Sequence, residues 1–278
     1  MIKLKILVVL YNKLPNESQT LNSFISYKEE LSEFAEIIIW DNSINYLSAN
    51  ESNQLRDTFN PLNIEYIASG KNVALSVIYN TVIKKLHTDE YFVIFDHDST
   101  VDFLFFVDLI DSISKNNTVN LFLPIVISNN YIVSPANTWY FMGWYWKKPK
   151  YGKIRANGIT AINSGMVING NYLNSKFKGY DEDLKFYETD NDFMYKYSLD
   201  NEYLFVLKSK IDHSLNYYEK STLNDKLFRY KSAKEGCLIH IRKRNRFIYL
   251  LALIYFSFMS IRLTIKHRSF RFLFTQKN

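Results

Sequence analysis

Cysteine, glycine and proline are scarce in this sequence, and each shortage excludes a class of protein. The single cysteine, Cys237, excludes a disulfide framework and any zinc site built from cysteines, and it fits a reducing compartment. Eight glycines and five prolines in 278 residues exclude collagen-like and linker-rich architectures. The length fits one large domain, with at most a small appendage, and a composition of 47% hydrophobic and 22% charged residues excludes disorder.

Acidic residues are absent after Glu235, although the whole chain has a formal net charge of only +6. Nine of the 34 basic residues lie between Arg242 and Lys277, which leaves 25 basic and 28 acidic residues elsewhere. A mildly acidic body with a strongly basic tail indicates that the tail binds an anionic surface or an anionic polymer.

An uncharged apolar run, residues 247–261, lies inside this basic tail. Its fifteen residues fall short of the roughly 20 that span a bilayer, so the run predicts an interfacial or shallowly inserted helix on anionic headgroups. The alternative is a buried helix that covers the body. Since the apolar run interrupts the basic tail, an anionic membrane is a better partner than nucleic acid.

The first residues, MIKLKILVVLYNK, lack the long apolar segment and small-residue cleavage site of a signal peptide. They predict a first strand and a cytoplasmic protein. Further apolar runs then alternate with helical segments, which favours a doubly wound α/β layer over about the first 130 residues. The predicted strands are 5–11, 36–40, 63–68, 91–95, 121–128, 131–134 and 203–208, with another inside 159–169, and the predicted helices are 18–34, 72–86, 101–114 and part of 181–199.

Polar side chains follow several of these strands, where open α/β sheets bind their ligands. Tyr11 follows the first strand and Asp41 the second, and Asp96 and Asp98 follow the fourth. The two last carboxylates can share a divalent cation, or they can form a turn or a helix cap. Asp41 can accept a hydrogen bond from a uracil or thymine ring, or it can form an Asx turn.

Two further signals come later in the chain. Asp190 lies in the acidic start of a helix, where a carboxylate serves either as a general base or as a helix cap. His213 follows a strand and is either a metal ligand or a structural histidine. Residues 139–151 predict an aromatic and basic loop, which either stacks on a sugar or acceptor or packs against the body.

These motifs stand in an order that resembles glycosyltransferase family 2 over residues 4–215, and most closely its bacterial rhamnosyltransferase-like branch. Residues 244–246, Arg-Asn-Arg, add a weaker likeness. The motifs are Tyr11-Asn12, Asp41-Asn42-Ser43, Asn72, Asp96-His97-Asp98-Ser99, Asn163-Ser164-Gly165-Met166, Asp190-Asn191-Asp192 and His213.

The resemblance implies a GT-A fold, a doubly wound mixed sheet flanked by helices, and an inverting transfer from a nucleotide-sugar with Mg²⁺ or Mn²⁺. It implies that Tyr11 and Asn72 line the nucleotide-sugar site, Asp41 reads the base, Asp96 contacts the ribose or metal, Asp98 binds the metal, Asp190 is the base, and His213 lies near the diphosphate and metal. Further sugar or acceptor contacts are expected from Trp139, Trp144, Ser164, Gly165 and Asp192.

We therefore expect a GT-A catalytic domain over residues 1–220 and a basic, apolar helical extension over 221–278. The expected enzyme moves rhamnose or another hexose from a dTDP- or UDP-sugar to a hydroxyl of a glycan or lipid-linked acceptor. It would act in cell-surface polysaccharide synthesis, at the inner face of the cell membrane. The alternatives are a sugar-nucleotide pyrophosphorylase, which the glycine-free segment 11–16 disfavours, and a non-catalytic protein that binds membrane or nucleic acid.

Overall fold

The computed structural model of this chain describes residues 2–213 and 222–274. Lys277 and the expected domain boundary after residue 220 lie outside the described residues. The strands are β1 (Lys3–Leu10), β2 (Ala35–Asp41), β3 (Asn63–Ala68), β4 (Glu90–Asp96), β5 (Ser99–Thr100), β6 (Leu121–Ser128), β7 (Tyr131–Ser134), β8 (Ala136–Trp139), β9 (Met142–Tyr145), β10 (Gly152–Arg155), β11 (Ile159–Thr160), β12 (Met166–Asn169) and β13 (Tyr203–His213).

Helices connect these strands in the alternating order that the sequence predicts for its first half. The α-helices are α1 (Gln19–Ile25), α2 (Lys28–Leu31), α3 (Ala49–Phe59), α4 (Leu75–Ile83), α5 (Phe103–Lys115), α6 (Gly170–Ser175), α7 (Thr189–Asp200), α8 (Leu223–Arg244) and α9 (Arg246–His267), and short 3₁₀ helices cover Pro15–Glu17 and Phe270–Phe272.

The central sheet is mixed, and its main strand order is β10-β13-β6-β12-β4-β1-β2-β3. Strands β4, β1, β2 and β3 run parallel to one another, while β12 lies antiparallel between β4 and β6. The parallel strands are the continuous apolar runs of the sequence because both faces of this sheet are covered.

Alternate side chains of β1 show that the sheet lies between two apolar layers. Leu7 and Val9 belong to a core cluster that also contains residues of α4, α6 and α7. Ile6 and Val8 belong to a second cluster, which contains residues of α1 and α5. Since successive side chains of a strand point to opposite faces, one strand contributes to both layers.

The aromatic segment after residue 138 was expected to be a loop, and this expectation is wrong for its first part. Strands β8 and β9 form a hairpin in which Trp139 pairs with Met142 across a two-residue turn, and β8 also pairs with β11. Aromatic residues favour strands, but the segment lacks alternating polar residues, so its pattern did not reveal the hairpin.

Helices α8 and α9 form a hairpin, as expected for a helical C-terminal extension. Helix α9 has 22 residues and continues past the fifteen-residue apolar run through Arg262 and Lys266. At 1.5 Å per residue it is about 33 Å long, so the expectation that this helix is too short to span a bilayer is wrong. Among the described residues it is the one helix long and apolar enough to do so, by length and composition.

Candidate active site

The register of the parallel strands brings the predicted residues to one edge of the sheet. Leu10 pairs with Asp41 on one side, and Val9 pairs with Asp96 on the other. Tyr11 follows β1 directly, so it stands between the ends of β2 and β4. The strand ends that the sequence identified therefore converge, as open α/β sheets require of a ligand site.

Asp96, Asp98 and His213 form a cluster at this edge, with one possible ligand atom of each within 4.8 Å of the others. His213 Nδ1 lies 3.4 Å from Asp98 Oδ1, although these residues are more than one hundred positions apart in sequence. Antiparallel pairing of β13 with β5, which places His213 opposite Ser99, causes this approach.

The cluster fits a divalent cation. Asp98 Oδ1 is buried and has no hydrogen-bond partner among the described residues, which leaves a hard oxygen ligand free. Burial, together with the charge of Asp98, raises the pKa of Asp96 above its ordinary value. Two close carboxylates with a histidine nitrogen are a donor set suited to Mg²⁺ or Mn²⁺, whose positive charge would offset this repulsion.

Hydroxyl groups hold the cluster in place. The hydroxyl of Ser99 lies 2.9 Å from His213 Nδ1 and 2.7 Å from the hydroxyl of Ser164. The Ser164 hydroxyl also accepts a hydrogen bond from the backbone N–H of Asp96. Because Ser99 and Ser164 are almost fully buried, these bonds fix the cluster without help from solvent.

Asp190 lies in the first turn of α7, half-buried, and its Oδ1 accepts a hydrogen bond from the backbone N–H of Asn191 at 2.8 Å. Burial raises the pKa of Asp190 to about 6, and the charge of Asp96 contributes to this shift. A carboxylate with a pKa near the working pH is well matched to accept a proton from a hydroxyl group.

Glu188 precedes helix α7 in a left-handed backbone conformation, with φ of 70°. Its carboxylate accepts a hydrogen bond from Asn191 Nδ2 at 3.0 Å, and Asn191 in turn bonds to Thr160 of β11. Burial and the charge of Asp190 raise the pKa of Glu188 to about 7. Asn191 therefore joins this strained turn to strand β11.

Tyr79 and Asn163 lie between the cluster of Asp96, Asp98 and His213 and helix α7. Asn163 Nδ2 donates to both the hydroxyl of Tyr79 and that of Thr189, each at 3.3 Å. Burial raises the pKa of the Tyr79 phenol, and the charges of Asp96 and Asp190 act in the same direction. Tyr79 is therefore close enough to both Asp96 and Asp190 to be affected by their charges.

The model of the family described as "Glycosyl transferase family 2" matches residues 5–176 of the chain. The chain belongs to glycosyltransferase family 2. The match covers the strands that carry Asp41, Asp96 and Asp98, whereas Asp190 and His213 lie beyond it. No curated protein sequence matches the chain.

Solved glycosyltransferase structures share the fold of this family 2 chain. One is GalNAc-T7 with UDP, GalNAc and Mn²⁺, with a TM-score of 0.62, 14% identity, and coverage of 86% of this chain and 47% of that protein. A second is S. aureus TarS 1–349, with a TM-score of 0.56, 16% identity, and coverage of 86% of this chain and 65% of that protein. A third is the mannosyltransferase PcManGT from Pyrobaculum calidifontis with GDP-Man and Mn²⁺, with a TM-score of 0.57, 10% identity, and coverage of 87% of this chain and 65% of that protein. The expected GT-A fold is confirmed, and the chain spans about half to two thirds of these proteins' lengths.

The ends of β2 and β3 in this glycosyltransferase domain are ordered by their own side chains. Asp41 is buried, and its two oxygens accept hydrogen bonds from the hydroxyl of Tyr66 at 2.6 Å and the backbone N–H of Ser43 at 3.0 Å. Asn42 joins the next loop by donating to the Asn72 side chain at 2.8 Å. Tyr11 and Asn72 are exposed. Tyr66 is a site residue that the sequence reasoning missed.

The remaining expected contacts of the family 2 site fall in three places. Ser164 and Gly165 are buried at the sheet edge, where a Cβ at Gly165 would lie 2.6 Å from the Ile211 side chain. They support the strand ends, and their contact with a sugar or acceptor stays a prediction. Trp139 and Trp144 are exposed on the hairpin of β8 and β9, so they are free to contact a ligand.

Asp192 is turned toward helix α8. Its carboxylate lies 2.7 Å from Lys196 Nζ and 3.2 Å from His240 Nδ1. Arg244 follows one turn after His240, and its guanidinium stacks 3.6 Å from the ring centre of Tyr195. Helix α8 thus packs against α7, a contact that the sequence indicated only through the likeness at Arg244.

Helix α8 also approaches the turn before Asp190. A Cβ at Gly236 would lie only 2.9 Å from the carbonyl oxygen of Tyr187 and 3.3 Å from Glu188 Cγ, so glycine permits this close contact. Lys243 forms ion pairs with Asp181 and Asp183, at 2.5 Å and 2.7 Å. These contacts hold residues 181–188, which precede Asp190, against helix α8.

Proposed function

We propose that this family 2 glycosyltransferase is an inverting, metal-dependent enzyme that moves a sugar from a nucleotide-sugar to a hydroxyl group. The observation that carries the proposal is the cluster of Asp96, Asp98 and His213, with its unpartnered buried Asp98 oxygen, opposite the half-buried Asp190. Together they provide a cation site and a proton acceptor in one site, which is what transfer from a charged leaving group needs.

The solved structures of related fold support a nucleotide-sugar donor. GalNAc-T7 contains UDP and Mn²⁺, TarS has been solved with UDP-GlcNAc, and PcManGT contains GDP-Man and Mn²⁺. For this chain we propose a dTDP- or UDP-sugar, with Asp41 reading the pyrimidine ring and Tyr11 and Asn72 lining the nucleotide. Each oxygen of Asp41 accepts one bond within the protein, and a carboxylate oxygen has a second lone pair for a ring N–H.

In the proposed reaction Asp190 accepts the proton of the acceptor hydroxyl. The hydroxyl oxygen then forms a bond to the anomeric carbon, while the bond from that carbon to the diphosphate breaks and its electron pair leaves with the nucleoside diphosphate. A single displacement inverts the anomeric configuration. Asp96, Asp98 and His213 would hold Mg²⁺ or Mn²⁺, which when bound neutralises negative charge on the diphosphate.

The proposal includes rhamnose or another hexose as the sugar, as expected for the rhamnosyltransferase-like branch, and a glycan or lipid-linked acceptor in cell-surface polysaccharide synthesis. Trp139 and Trp144 would contact the sugar or acceptor through their exposed rings. It also includes an anionic membrane as a partner and a cytoplasmic, peripheral location. The net positive tail after Glu235 supports these last two points.

A thermal-shift panel tests this function. Purified protein is mixed with UDP-, dTDP- and GDP-sugars, with and without Mn²⁺, and its melting temperature is measured. We expect stabilisation by one pyrimidine nucleotide-sugar, and only when the metal is present, since a ligand that binds the folded state raises its stability. Absence of stabilisation by every donor, or equal stabilisation without metal, would contradict the proposal.

A further inference from the structure

Helix α9 carries a continuous apolar stripe that no part of the described chain covers. Its members recur every three or four residues and are between 49% and 73% exposed, which is unusual for large apolar side chains on a soluble surface. The stripe runs almost the full length of the helix. It consists of Phe247, Leu250, Ile254, Phe258, Ile261 and Ile265.

The opposite face of α9 is attached to the protein. Ile248 and Ala252 are buried against Cys237 and Ile241 of α8. The Tyr230 hydroxyl of α8 lies 2.7 Å from the hydroxyl of Ser260. Helix α9 therefore has one apolar face that is covered by α8 and one apolar face that is open.

The aromatic hairpin of β8 and β9 extends the open face. The rings of Phe141 and Tyr255 lie 5.2 Å apart, and Tyr140 and Phe141 pack against the cluster between α8 and α9. Beyond this contact the hairpin exposes Trp144 and Tyr145. Tryptophan and tyrosine rings are well suited to the headgroup region of a bilayer, where one end of the ring is apolar and the other is hydrated.

The charges around this face select an anionic partner. No acidic residue occurs after Glu235, while Arg246 stands at the start of α9 and Arg262, Lys266 and Arg268 stand at its end. A second copy of the chain would bring these like charges together along the stripe. An anionic lipid surface offers both the apolar layer and the opposite charge.

We propose that the open face of α9 and the hairpin of β8 and β9 form one docking surface, on which the protein lies against an anionic lipid bilayer. Energetics disfavour α9 as a membrane-spanning helix, because α8 packs along its length. Lys234 of α8, 3.4 Å from the Ser260 hydroxyl, would have to enter the bilayer together with α9. Charged residues such as Asp225 and Glu235 of α8 would then enter the hydrocarbon, at high cost.

The docking surface is connected through β11 to the part of the proposed site that contains Asp190. Ala136 of β8 pairs with Thr160 of β11, and Thr160 bonds to Asn191, the neighbour of Asp190. Docking would therefore bring the acceptor side of the site near the lipid headgroups, which favours a lipid-linked acceptor. This consequence rests on the proposed function, but docking itself is measured without sugar transfer.

Vesicle co-sedimentation of the full chain tests the surface. We expect binding to vesicles of phosphatidylcholine with phosphatidylglycerol, much weaker binding to phosphatidylcholine alone, and weakening at high salt. The double variant Leu250→Glu/Phe258→Glu should lower the affinity at least about tenfold, since it places two charges in the apolar stripe. The double variant Leu104→Glu/Val107→Glu, at two exposed apolar positions of α5, is the matched control and should bind like wild type.

Further readouts separate the possible failures. Tyr145→Glu should weaken vesicle binding about threefold or more if the hairpin takes part, and wild-type binding would overturn that part. Alkaline carbonate should release the protein from vesicles, and retention would show a spanning helix instead. Calorimetry of UDP with Mn²⁺ should give the same affinity for the double variant as for wild type, which shows that the variant is folded and tests the proposed function separately.

The proposal is overturned if wild-type protein stays in the supernatant with anionic vesicles. It is also overturned if light scattering shows a stable dimer that the double variant abolishes, because the stripe would then be covered by a second copy. Equal loss of binding in Leu104→Glu/Val107→Glu would show that added negative charge, and not the stripe, controls the interaction.

Discussion

The proposed site has a metal half, formed by Asp96, Asp98 and His213, and a base half, formed by Asp190, and the two are built by different means. The metal half comes from the ends of β4, β5 and β13, and its geometry follows from sheet register and from bonds through Ser99 and Ser164. The base half begins at a left-handed residue, Glu188, and is held from outside by α8 through Gly236 and Lys243.

This difference separates two ways to place a reactive group. Asp96 and Asp98 lie within residues 5–176 of the family match, at the end of β4 and in the turn between β4 and β5. Asp190 lies beyond the match, and helix α8, which contacts the turn before Asp190, also packs against α9. The metal half should therefore be rigid, whereas changes in α8 should affect the base half alone.

The largest expected effect is that of Asp190→Asn. Loss of the general base should lower turnover by about 10²–10⁴-fold, while the affinity for UDP with Mn²⁺ stays within about twofold of wild type. Steady-state kinetics and calorimetry measure the two quantities. Turnover at the wild-type rate would show that Asp190 is not the general base. An equal loss of nucleotide affinity would show that the metal half and the base half do not act separately.

The variant Asp98→Ala should affect the other half. It removes a ligand from the proposed cation site, so the metal-dependent affinity for UDP or dTDP should fall by about 10–100-fold in calorimetry. Asp57→Ala, which removes an exposed carboxylate from α3, is the matched control. Unchanged nucleotide affinity in Asp98→Ala with Mn²⁺ would contradict the assignment of the cluster.

The pH dependence of turnover reports on Asp190 directly. Its pKa of about 6 means that the carboxylate is protonated below that pH and cannot accept a proton. Turnover should therefore be constant above about pH 7 and fall about tenfold by pH 5. If the bound cation neutralises the charge of Asp96, the pKa of Asp190 falls, and turnover begins to decrease at a lower pH. A flat profile from pH 5 to 8 would show that another group is the base.

The same pKa predicts a change in stability. Because burial raises the pKa of Asp190, its contribution to stability is present when it is protonated and is lost as the pH rises through about 6. Asp190→Asn should therefore raise the melting temperature of the metal-free protein more at pH 8 than at pH 5. Equal effects at both pH values would contradict the burial of this carboxylate.

The smallest expected effect is that of Gly236→Ala. Helix propensity alone predicts that alanine stabilises α8 by about 1 kcal/mol, but the new Cβ would lie 2.9 Å from the Tyr187 carbonyl. We expect lower stability and a severalfold loss of turnover, with unchanged metal-dependent nucleotide affinity. Ser232→Ala on the same helix is the control. A more stable, fully active Gly236→Ala would show that α8 does not constrain the base.

The sequence predicted much of the metal half and little of what holds the base half. Continuous apolar runs revealed the parallel strands, and Asp41, Asp96 and Asp98 could be located because they follow those strands. The contact of His240 with Asp192 joins residues 48 positions apart, and no local pattern encodes it. The likeness to the family supplied Asp190 and His213, which composition and periodicity alone left open.

Other elements were missed for local reasons. Helix α3 was not predicted because it is mostly polar, and only Phe59 is buried. Its capping box of Ser48 and Glu51 is the signal that could have revealed it. The hairpin of β8 and β9 lacks the polar alternation of a half-buried strand, since its β9 side chains are exposed although they are apolar or aromatic.

Crystals grown with Mn²⁺ and UDP would test the central claim most directly, through the anomalous scattering of manganese. The account predicts one strong peak among Asp96, Asp98 and His213, with ligand distances of about 2.1 Å, and a diphosphate that lies between this peak and Asp190. A peak elsewhere, or a diphosphate bound away from Asp190, would contradict a site in which both halves act on one donor.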